Sequence, residues 1–374
     1  MELTTEQELI RDTVREFVER EVEPRVDESD ENQEFPEDVW DGLAELDLTG
    51  LAVPEEYGGF EADRVTHSIV NEELAYGHLS VATALSVQHL AISCIREFAS
   101  EEQKAEWLPG MAEGRPVGAF ALSEPHAGSN PAELSTEAHR EGDEYVINGT
   151  KQWVTNGQRA GVVVLFAKTD RDDPNTVTQF LVPKDTEGLA VGKKEDKLGL
   201  RASDTTTLIL DDVRIPAENR LTEVGRGLKA AFSVLTEGRI AIASQAVGVA
   251  QAALDDAVEY ANEREQFGEP IIEHQAIAQT LADMQTRVQA ARLLARDAAR
   301  KNDGDVDPTA ASMAKYFAGE TAVDVASDAV QVHGGYGFTK DFDVERYYRD
   351  AKITTIYEGT SEIQKKVIAR HLKE

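Results

Sequence analysis

Apolar and polar positions alternate with helical spacing at both ends of the chain and with strand spacing in the middle. In the first part, Leu9, Thr13 and Phe17 share one helical face after a Thr4-Thr5 start. Pro36 is typical of the opening of a helix and predicts another one directly after it. Three further helices are predicted, over Thr66–Tyr76, Ser80–Phe98 and Ser100–Ala112.

The middle part has short runs of β-branched residues separated by Gly, Asn, Asp or Pro, which is the pattern of strands joined by turns. The runs are Tyr145–Ile147, Val162–Phe166, Thr178–Val182 and Thr206–Leu210. Long helical patterns do not alternate with them, so a doubly wound parallel sheet is disfavoured. We expect a small antiparallel β-barrel or sandwich here.

The last part returns to long helical stripes. One stripe runs from Ala243 to Ala261 and another from Ile277 to Ala298, and Asp307-Pro308 is typical of a helix start. The chain is therefore predicted to be mainly α with a central β domain. We expect an N-terminal α-helical domain over 1–117, a middle β domain over 118–226 and a C-terminal helical bundle over 227–374.

The charge of the chain restricts its partners and its environment. The 374 residues include 70 acidic and 38 basic side chains, a formal net charge of −32, and the acids are spread along the whole length. Such a surface repels nucleic acid and anionic membranes, so neither is expected as a partner. A solvated acidic shell is typical of proteins that work in high salt, and a halophilic protein is predicted.

Cysteine usage and hydropathy give two further expectations. The single cysteine, Cys94, excludes an internal disulfide and a multi-cysteine metal site, and no metal site is predicted. The sequence shows neither an apolar run of about 20 residues nor a signal-peptide pattern at Met1–Glu6. We therefore expect a cytoplasmic protein.

The segment Ile356–Gln364 (IYEGTSEIQ) is the strongest candidate for chemistry. It places the carboxylate of Glu358 directly before Gly359, and the following Thr360-Ser361 pair is suited to starting a helix. A carboxylate on a tight glycine turn at a helix entry can approach a ligand without obstruction from its own backbone. Taken alone, the same pattern is usually an ordinary helix cap.

Further segments accompany it in a fixed order, and together they resemble the acyl-CoA dehydrogenase family. Two stretches, Gly192–Arg201 and Gly238–Gln245, are most similar to the short-chain (butyryl-CoA) branch of that family. The other matching segments are Phe120–Ser129, Gly149–Gly157, Arg264–Gly268 with Gln275, Gln331–Phe338 and Arg346–Lys352. Each segment alone is weak evidence, but together, and in this order, the segments span nearly the whole chain.

The resemblance implies FAD as cofactor and a fold whose C-terminal part is a four-helix bundle. It places Trp153 against the isoalloxazine ring and the Thr155 hydroxyl at flavin N5, and it implies that Arg264 and its neighbours hold the diphosphate and adenine end, partly from another subunit. The implied FAD contacts are Phe120, Leu122, Ser123, Gly128, Ser129, Trp153, Thr155, Arg264, Phe267, Gln275, Gln331, Gly334, Gly335, Thr360 and Glu362.

The resemblance also implies the reaction. Glu358 matches the base that removes the α-proton of an acyl-CoA thioester, while hydride leaves the β-carbon for flavin N5 and trans-2-enoyl-CoA forms. An acyl-CoA substrate, an electron-transfer flavoprotein as acceptor and a homotetramer built as a dimer of dimers are implied as partners. The implied substrate contacts are Ser129, Thr236, Arg239, Tyr357 and Gly359.

Several alternatives stay open at this point. One branch of the family carries its base immediately before the arginine that matches Arg239; that position is Gly238 here, and Glu237 lies one residue early. An acyl-CoA oxidase or a decarboxylating glutaryl-CoA-type dehydrogenase would share the fold. A catalytically silent helical CoA-binding or scaffold protein is the alternative from another class. His126 and Asn130 depart from the usual small residue and aspartate of the family motif.

Overall fold

A computed structural model of the chain describes residues 3–304 and 306–373. The outer ends of the predicted domains, residues 1 and 374, lie outside this range. The structure changes from helices to strands at Gly118 and back to helices at Gly227, the positions where the sequence pattern changes. The division into three domains at these points remains a prediction.

The N-terminal part is helical, as predicted from the sequence pattern. Its first helix starts where the Thr4-Thr5 signal places it, because the Thr4 side chain accepts from the Gln7 backbone N–H and the Gln7 side chain accepts in return from the Thr4 backbone N–H. The α-helices are α1 (Thr5–Phe17), α2 (Val26–Asn32), α3 (Glu37–Glu45), α4 (Arg64–Gly77), α5 (Leu79–Phe98) and α6 (Glu101–Ala112).

The middle part forms a curled seven-stranded sheet in the order β1-β4-β2-β3-β7-β6, with β5 on the free side of β4. Its strands are β1 (Gly118–Ala121), β2 (Glu137–Glu141), β3 (Glu144–Val154), β4 (Val162–Lys168), β5 (Val177–Pro183), β6 (Leu189–Lys194) and β7 (Thr206–Pro216).

Most pairs in this sheet are antiparallel, as predicted, but β1 runs parallel to β4, with Gly118 opposite Val162 and Ala121 opposite Leu165. β2 also meets β4 in parallel at one pair, Glu137 with Lys168. Strands β1, β2 and β4 therefore run in one direction, and β3 runs antiparallel to β2.

The C-terminal part contains the long helices. Asp307 caps α9 by accepting from the backbone N–H groups of Thr309 and Ala310, as its position before Pro308 predicts. The helices are α7 (Gly227–Glu263), α8 (Gln275–Lys301), α9 (Pro308–His333), α10 (Val344–Ala351) and α11 (Ser361–His371), and a short hairpin of β8 (Glu265–Gln266) and β9 (Glu269–Pro270) joins α7 to α8.

One hydrophobic core joins the two helical parts. Residues of α4 and α5 such as Leu74 and Leu85 share it with Ala246 and Val247 of α7 and with Ala318 of α9. Helices α7, α8 and α9 pack on one another, and α11 packs on α9, which gives the expected bundle. Helix α7 therefore contacts both helical parts, and the candidate site is built around its first half.

One helix in the described part of the chain, α5, is long and apolar enough to cross a membrane. Most of its apolar window, 83%, is buried inside the fold, as in the core helix of a soluble protein. Its composition is explained by packing against α4 and α7.

Candidate functional site

The candidate base stands on a tight turn between α10 and α11. Glu358 and Gly359 both adopt left-handed backbone conformations, with φ of +53° and +91°. A left-handed glutamate is uncommon and costs energy, so the surrounding structure must hold it. Thr360 then caps α11 by accepting from the Ile363 backbone N–H, which fixes where the turn ends.

Two buried side chains hold this turn through its backbone carbonyls. Lys315 of α9, which is fully buried, donates from Nζ to the Gly359 carbonyl at 2.7 Å. Gln364 of α11 donates from Nε2 to the carbonyls of Glu358 and Gly359, at 3.1 and 2.9 Å. The turn is thus fastened to two helices, and neither Lys315 nor Gln364 was identified from the sequence.

Among the described residues the Glu358 carboxylate forms no ion pair, although the positive charges of Arg239 and Lys315 lie near it. Its Oε2 is buried and has no hydrogen-bond partner among the described residues. Burial raises the pKa of Glu358 to about 7, against the opposing positive charges of Arg239 and Lys315. A carboxylate with this pKa can accept a proton near neutral pH and hold it there.

Helix α7 passes directly beside that carboxylate at Gly238. A Cβ atom at position 238 would lie 2.8 Å from Glu358 Oε2 and 3.2 Å from its Cδ, so any side chain there would displace the carboxylate. The glycine is therefore required by Glu358. The arrangement also places the carboxylate against the helix whose other site residues are Thr236 and Arg239.

Arg239 supplies a buried positive charge near the base. Its Nε has no partner among the described residues, and desolvation lowers the pKa of its guanidinium. Thr236, one turn earlier on α7, is also buried, and its hydroxyl donates to the Phe232 carbonyl at 3.1 Å. Both predicted substrate contacts thus lie on the part of α7 that borders Glu358.

Tyr357, another predicted substrate contact, has its hydroxyl in the protein interior. The hydroxyl donates to Gln245 Oε1 at 3.2 Å and lies 3.5 Å from the Thr83 hydroxyl. Gln245 in turn donates to Asn71 Oδ1 and to the Ala82 carbonyl. This network ties the base turn to α4, α5 and α7, so the hydroxyl has a positioning role, and substrate contact by Tyr357 stays a prediction.

The two flavin segments of the β domain lie side by side. The Ser123 carbonyl accepts from the Gln152 backbone N–H at 3.0 Å, and the Phe120 ring packs against Phe166 with centroids 4.9 Å apart. Leu122 is buried beneath them, whereas Ser129 beyond them is exposed. The segments Phe120–Ser129 and Gly149–Gly157 therefore form one surface.

Trp153 is the most unusual residue of this surface. It is left-handed, with φ of +58°, and its side chain is 52% exposed even though the neighbouring Val154 is buried. Its indole lies next to Gly128, 4.0 Å from where a Cβ would be, and Thr155 beside it is half-buried. An exposed indole held this way offers a flat face to a ring, and Trp153 is not part of the hydrophobic core.

A buried ion pair that was not identified from the sequence supports the surface from below. Lys151 Nζ donates to Glu124 Oε1 at 2.7 Å, and both side chains are almost completely buried. Glu124 also accepts from the backbone N–H and hydroxyl groups of Ser135 and Thr136. These bonds outweigh burial and lower the pKa of Glu124 to about 2. The pair fixes the loop that carries Gly128 and Ser129.

The remaining predicted FAD contacts form a second, separate group at the far end of the bundle. Phe267 lies at the tip of the β8–β9 hairpin and is 97% exposed, and the Arg264 guanidinium lies 6.0 Å from the Tyr336 ring. Gln275 begins α8 beside them. The exposed residues Gln331, Gly334 and Gly335 end α9 at the same place.

Among the described residues, no hydrogen bond or ring contact joins this second group to Trp153 or Thr155 within one chain. Thr360 and Glu362 belong to the turn of Glu358, where Glu362 is exposed in the first turn of α11. The chain thus brings the base turn together with the α7 residues, forms the β surface from its own two segments, and leaves the other group exposed.

Comparison with known proteins identifies the family of the chain. Sequence models of the acyl-CoA dehydrogenase N-terminal, middle and C-terminal domains match residues 4–115, 119–213 and 225–373. The chain belongs to the acyl-CoA dehydrogenase family. Within it, the chain is 46% identical over its full length to the mitochondrial short-chain specific acyl-CoA dehydrogenase of Rattus norvegicus, covering 91% of that protein. It is 44% identical to the acyl-CoA dehydrogenase of Bacillus subtilis, covering 99%.

Solved structures of the family have the same fold. Butyryl-CoA dehydrogenase from Megasphaera elsdenii matches with a TM-score of 0.97 at 39% identity, with complete coverage of both chains. A chain in a structure of the electron transferring flavoprotein of Acidaminococcus fermentans matches at 0.96 and 42%, with 100% and 99% covered. A glutaryl-CoA dehydrogenase from Mycobacterium smegmatis in complex with FADH2 matches at 0.94 and 34%, with 99% and 95% covered.

The acyl-CoA dehydrogenase family assignment gives the activity and the cofactor. The protein is an oxidoreductase that uses FAD to dehydrogenate acyl-CoA to enoyl-CoA. Its own residues fit the flavin. The exposed indole of Trp153 and the open glycine at position 128 leave room for a planar ring.

Proposed function

We propose that Glu358 is the base that removes the α-proton of a short acyl-CoA thioester. The observation that carries the proposal is a buried carboxylate oxygen without a partner, whose pKa is raised to about 7 on a turn held by Lys315 and Gln364. An ion-paired structural glutamate would instead have a lowered pKa.

The turn also supplies a donor for the negative charge that develops on the thioester. In the described part of the chain, the backbone N–H of Glu358 donates to no protein acceptor. A thioester oxygen at this N–H would be stabilised as an enolate forms, in the manner of an oxyanion hole. Arg239, buried close by, adds positive charge to the same region.

The β surface would hold the flavin on the side of the substrate opposite Glu358. When bound, FAD supplies the two-electron acceptor for this chemistry. Trp153 and Thr155 would hold its ring system on this surface, and Glu358 would reach the substrate from the α7 side. A substrate between them would present its α-proton to the carboxylate and its β-carbon to the opposite face.

The alternative base, Glu237, is engaged elsewhere. Its carboxylate forms an ion pair with Arg64 and accepts from the Ser93 hydroxyl at 3.0 Å. A paired carboxylate is a weaker base than an unpaired, desolvated one. In addition, even a Cβ at position 238 would crowd the Glu358 carboxylate, so a second carboxylate at position 238 does not fit beside it.

The variant Glu358→Gln tests the proposal. Removal of the proton acceptor without a change of size should abolish flavin reduction by butyryl-CoA while the protein keeps its bound FAD and yellow colour. Anaerobic single-turnover bleaching of the flavin measures the reaction, and Glu237→Gln is the matched control. Full bleaching in Glu358→Gln together with loss in Glu237→Gln would move the base to position 237.

The short-chain substrate is part of the proposal, and two rivals share the fold. The short-chain relative from Rattus norvegicus and the butyryl-CoA dehydrogenase from Megasphaera elsdenii support it. An acyl-CoA oxidase would consume oxygen during turnover. A glutaryl-CoA-type dehydrogenase would release CO2 from a dicarboxylyl-CoA.

We propose an electron-transfer flavoprotein as electron acceptor and a homotetramer, a dimer of dimers, as the assembly. The match to a chain in the Acidaminococcus fermentans electron transferring flavoprotein structure supports the acceptor. For the assembly, Phe267 and Phe338 are 97% and 90% exposed, an unfavourable state that a neighbouring subunit would relieve. Sedimentation of Phe267→Ser, with Leu9→Ser as an equally polar control elsewhere, should show dissociation in the first variant alone.

We further propose a cytoplasmic, halophilic protein. The support is the formal charge of −32 and the single cysteine, Cys94, which is buried as a free thiol. High salt would screen the repulsion among the acidic side chains. Fractionation of the source cells, together with an assay of activity against KCl concentration, tests both points.

A further inference from the structure

The loop between β6 and β7, residues 195–205, is the part of the β domain that reaches the segment carrying the base. We call it the docking loop. Its contacts fall on α10, which ends at Ala351, shortly before Glu358. In the described part of the chain, no other hydrogen bond or ion pair joins residues 118–226 to α10 or to the base turn.

Leu200 of the docking loop is inserted into the core of the helical parts. Its side chain is buried in the hydrophobic core that α4, α5, α7 and α9 share, and no other described residue of 118–226 belongs to that core. Its backbone is left-handed, with φ of +49°. This conformation costs energy in a bulky residue, so the surrounding contacts must hold it.

Asp350 of α10 holds this strained backbone. The side chain is almost completely buried, and its Oδ1 accepts from the Leu200 backbone N–H at 2.6 Å. Burial raises the pKa of Asp350 to about 6, against the positive charge of Arg346, so the carboxylate is largely ionised at neutral pH. An ionised acceptor makes a strong hydrogen bond. The neighbouring Arg349 donates from Nη1 to the Leu198 carbonyl at 3.4 Å, which fixes the loop at a second point.

Gly199 lets the docking loop and α10 approach closely. A Cβ at position 199 would lie 2.4 Å from the Arg349 carbonyl oxygen and 2.7 Å from Asp350 Oδ1. Gly199 is not left-handed, so glycine is required here by lack of space and not by its own backbone conformation. The loop therefore meets α10 at a fixed distance.

The other end of the docking loop touches the β surface. Glu195 Oε1 accepts from Gln152 Nε2 at 3.2 Å, and Gln152 directly precedes Trp153. Within the loop, Lys197 Nζ donates to the Ser203 carbonyl at 2.7 Å, which braces it internally. A braced loop with one end at the β surface and the other on α10 connects the proposed flavin side with the segment that carries the base.

We propose that the docking loop sets the position of the base turn relative to the flavin surface, with Asp350 as the positioning residue. The inference rests on the proposed function of Glu358. Removal of the α-proton and departure of hydride from the β-carbon require one substrate to be aligned with both parts of the protein at once. A misplacement of about 1 Å at such a site costs roughly a hundredfold in rate, even when the change lies far from the chemistry.

The variants Asp350→Ala and Asp350→Asn test this role in the purified FAD-loaded protein. Anaerobic flavin reduction over a range of butyryl-CoA concentrations gives a limiting rate and a half-saturating concentration. Asp350→Ala should lower the limiting rate by roughly ten- to a hundredfold. It should leave the half-saturating concentration nearly unchanged, because the groups that contact substrate are all present. Asp350→Asn keeps an oxygen that can accept from the Leu200 N–H, and it should recover much of the lost rate.

The variant Gly199→Ala perturbs the same contact from the loop side without a change of charge, and it should show the same loss of rate at an unchanged half-saturating concentration. It decides the question should Asp350→Ala not fold. Two controls change similar features elsewhere. Asn302→Ala removes a buried oxygen that accepts from the Asp307 backbone N–H at 2.7 Å, and Gly248→Ala crowds α7 against α4. Thermal melts compare stability, and both controls should keep the limiting rate.

An unchanged limiting rate in Asp350→Ala and Gly199→Ala would overturn the inference. A higher half-saturating concentration at an unchanged limiting rate would also overturn it, as would an equal loss of rate in the two controls. If wild-type protein is reduced by butyryl-CoA and these variants react normally, the positioning role alone is refuted. If no acyl-CoA reduces the wild-type flavin, the proposed function is refuted and the inference with it.

Discussion

Position 238 controls how the base sits against α7. The variant Gly238→Ala places a Cβ within 2.8 Å of Glu358 Oε2, and the flexible glutamate side chain will yield before the helix does. A base misplaced by a fraction of an ångström loses roughly ten- to a hundredfold in rate. We expect slower flavin reduction with little change in melting temperature. A normal rate in Gly238→Ala would show that the carboxylate does not need that space.

Lys315 is expected to set the pH at which the base works. Glu358 must be ionised to accept a proton, so the rate of flavin reduction rises as the pH passes its pKa of about 7. The charge of Lys315 lowers that pKa, and Lys315→Met removes it. The midpoint of the pH profile should therefore move upward, by roughly half a unit or more.

Two controls separate the charge of Lys315 from its role in the turn. Lys315→Arg keeps the charge and should keep the midpoint. Lys184→Met removes a lysine that also donates to a backbone carbonyl, that of Gly157 at 3.0 Å, but in the β domain. An unchanged midpoint in Lys315→Met, with a lower rate, would limit Lys315 to holding the Gly359 carbonyl.

Site residues within a recognisable motif were predicted from the sequence. Residues whose hydrogen-bond partners are far away in the sequence were not. Glu358 was found because its glycine and the helix cap are adjacent to it. Lys315 was missed because its acceptor, the Gly359 carbonyl, lies 44 positions away and carries no side-chain signal. The pair of Glu124 and Lys151 was missed for the same reason, since their contact depends on the register of β3 beneath the loop.

At the scale of elements, α7 is held against α4 by a close approach of backbones. A Cβ at Gly248 would lie 2.2 Å from the Glu72 carbonyl oxygen and 2.9 Å from the Tyr76 backbone nitrogen. Backbone atoms of a packed helix cannot move aside, so Gly248→Ala should lower the free energy of unfolding by about 1–3 kcal/mol.

Chemical denaturation measures this loss of stability. Gly335→Ala is the matched control, because a Cβ at that position meets nothing within 4 Å. Equal stability of the two variants would mean that α4 and α7 can separate without cost. The pH profile of flavin reduction should keep its midpoint in Gly248→Ala, since the residue lies away from Glu358.

Element types were predictable where local signals are strong. The caps at Thr4, Asp307 and Thr360 placed three helix starts correctly, because each depends only on neighbouring residues. The parallel pairing of β1 with β4 was not predictable, since local alternation fixes which face a strand buries and not which strand it meets.

At the scale of the whole molecule, the acidic surface should make stability depend on salt. Self-repulsion among charges summing to −32 weakens the folded state in dilute buffer and is screened in concentrated KCl. We expect the melting temperature to rise from dilute buffer to molar KCl. Sucrose at matched osmolarity is the control, and a higher melting temperature in dilute buffer than in KCl would contradict the halophilic prediction.

The arrangement of the three parts followed from the sequence pattern, whereas the way the site is shared among them did not. The base turn and α7 meet at Glu358 and Gly238, which lie far apart in the sequence, and only the folded chain brings them together. The group around Phe267 is exposed, and the second subunit proposed to cover it cannot be placed by any pattern within one chain.

The contact between Gly238 and Glu358 has a consequence for how such enzymes can diverge. The space beside the flavin surface admits one acid only, delivered either from α7 or from the turn before α11. A second acid at position 238 would crowd the Glu358 carboxylate, so moving the acid to α7 requires both positions to change together. Gly238→Glu should therefore be inactive alone and should regain activity only when Glu358 is replaced by glycine in the same chain.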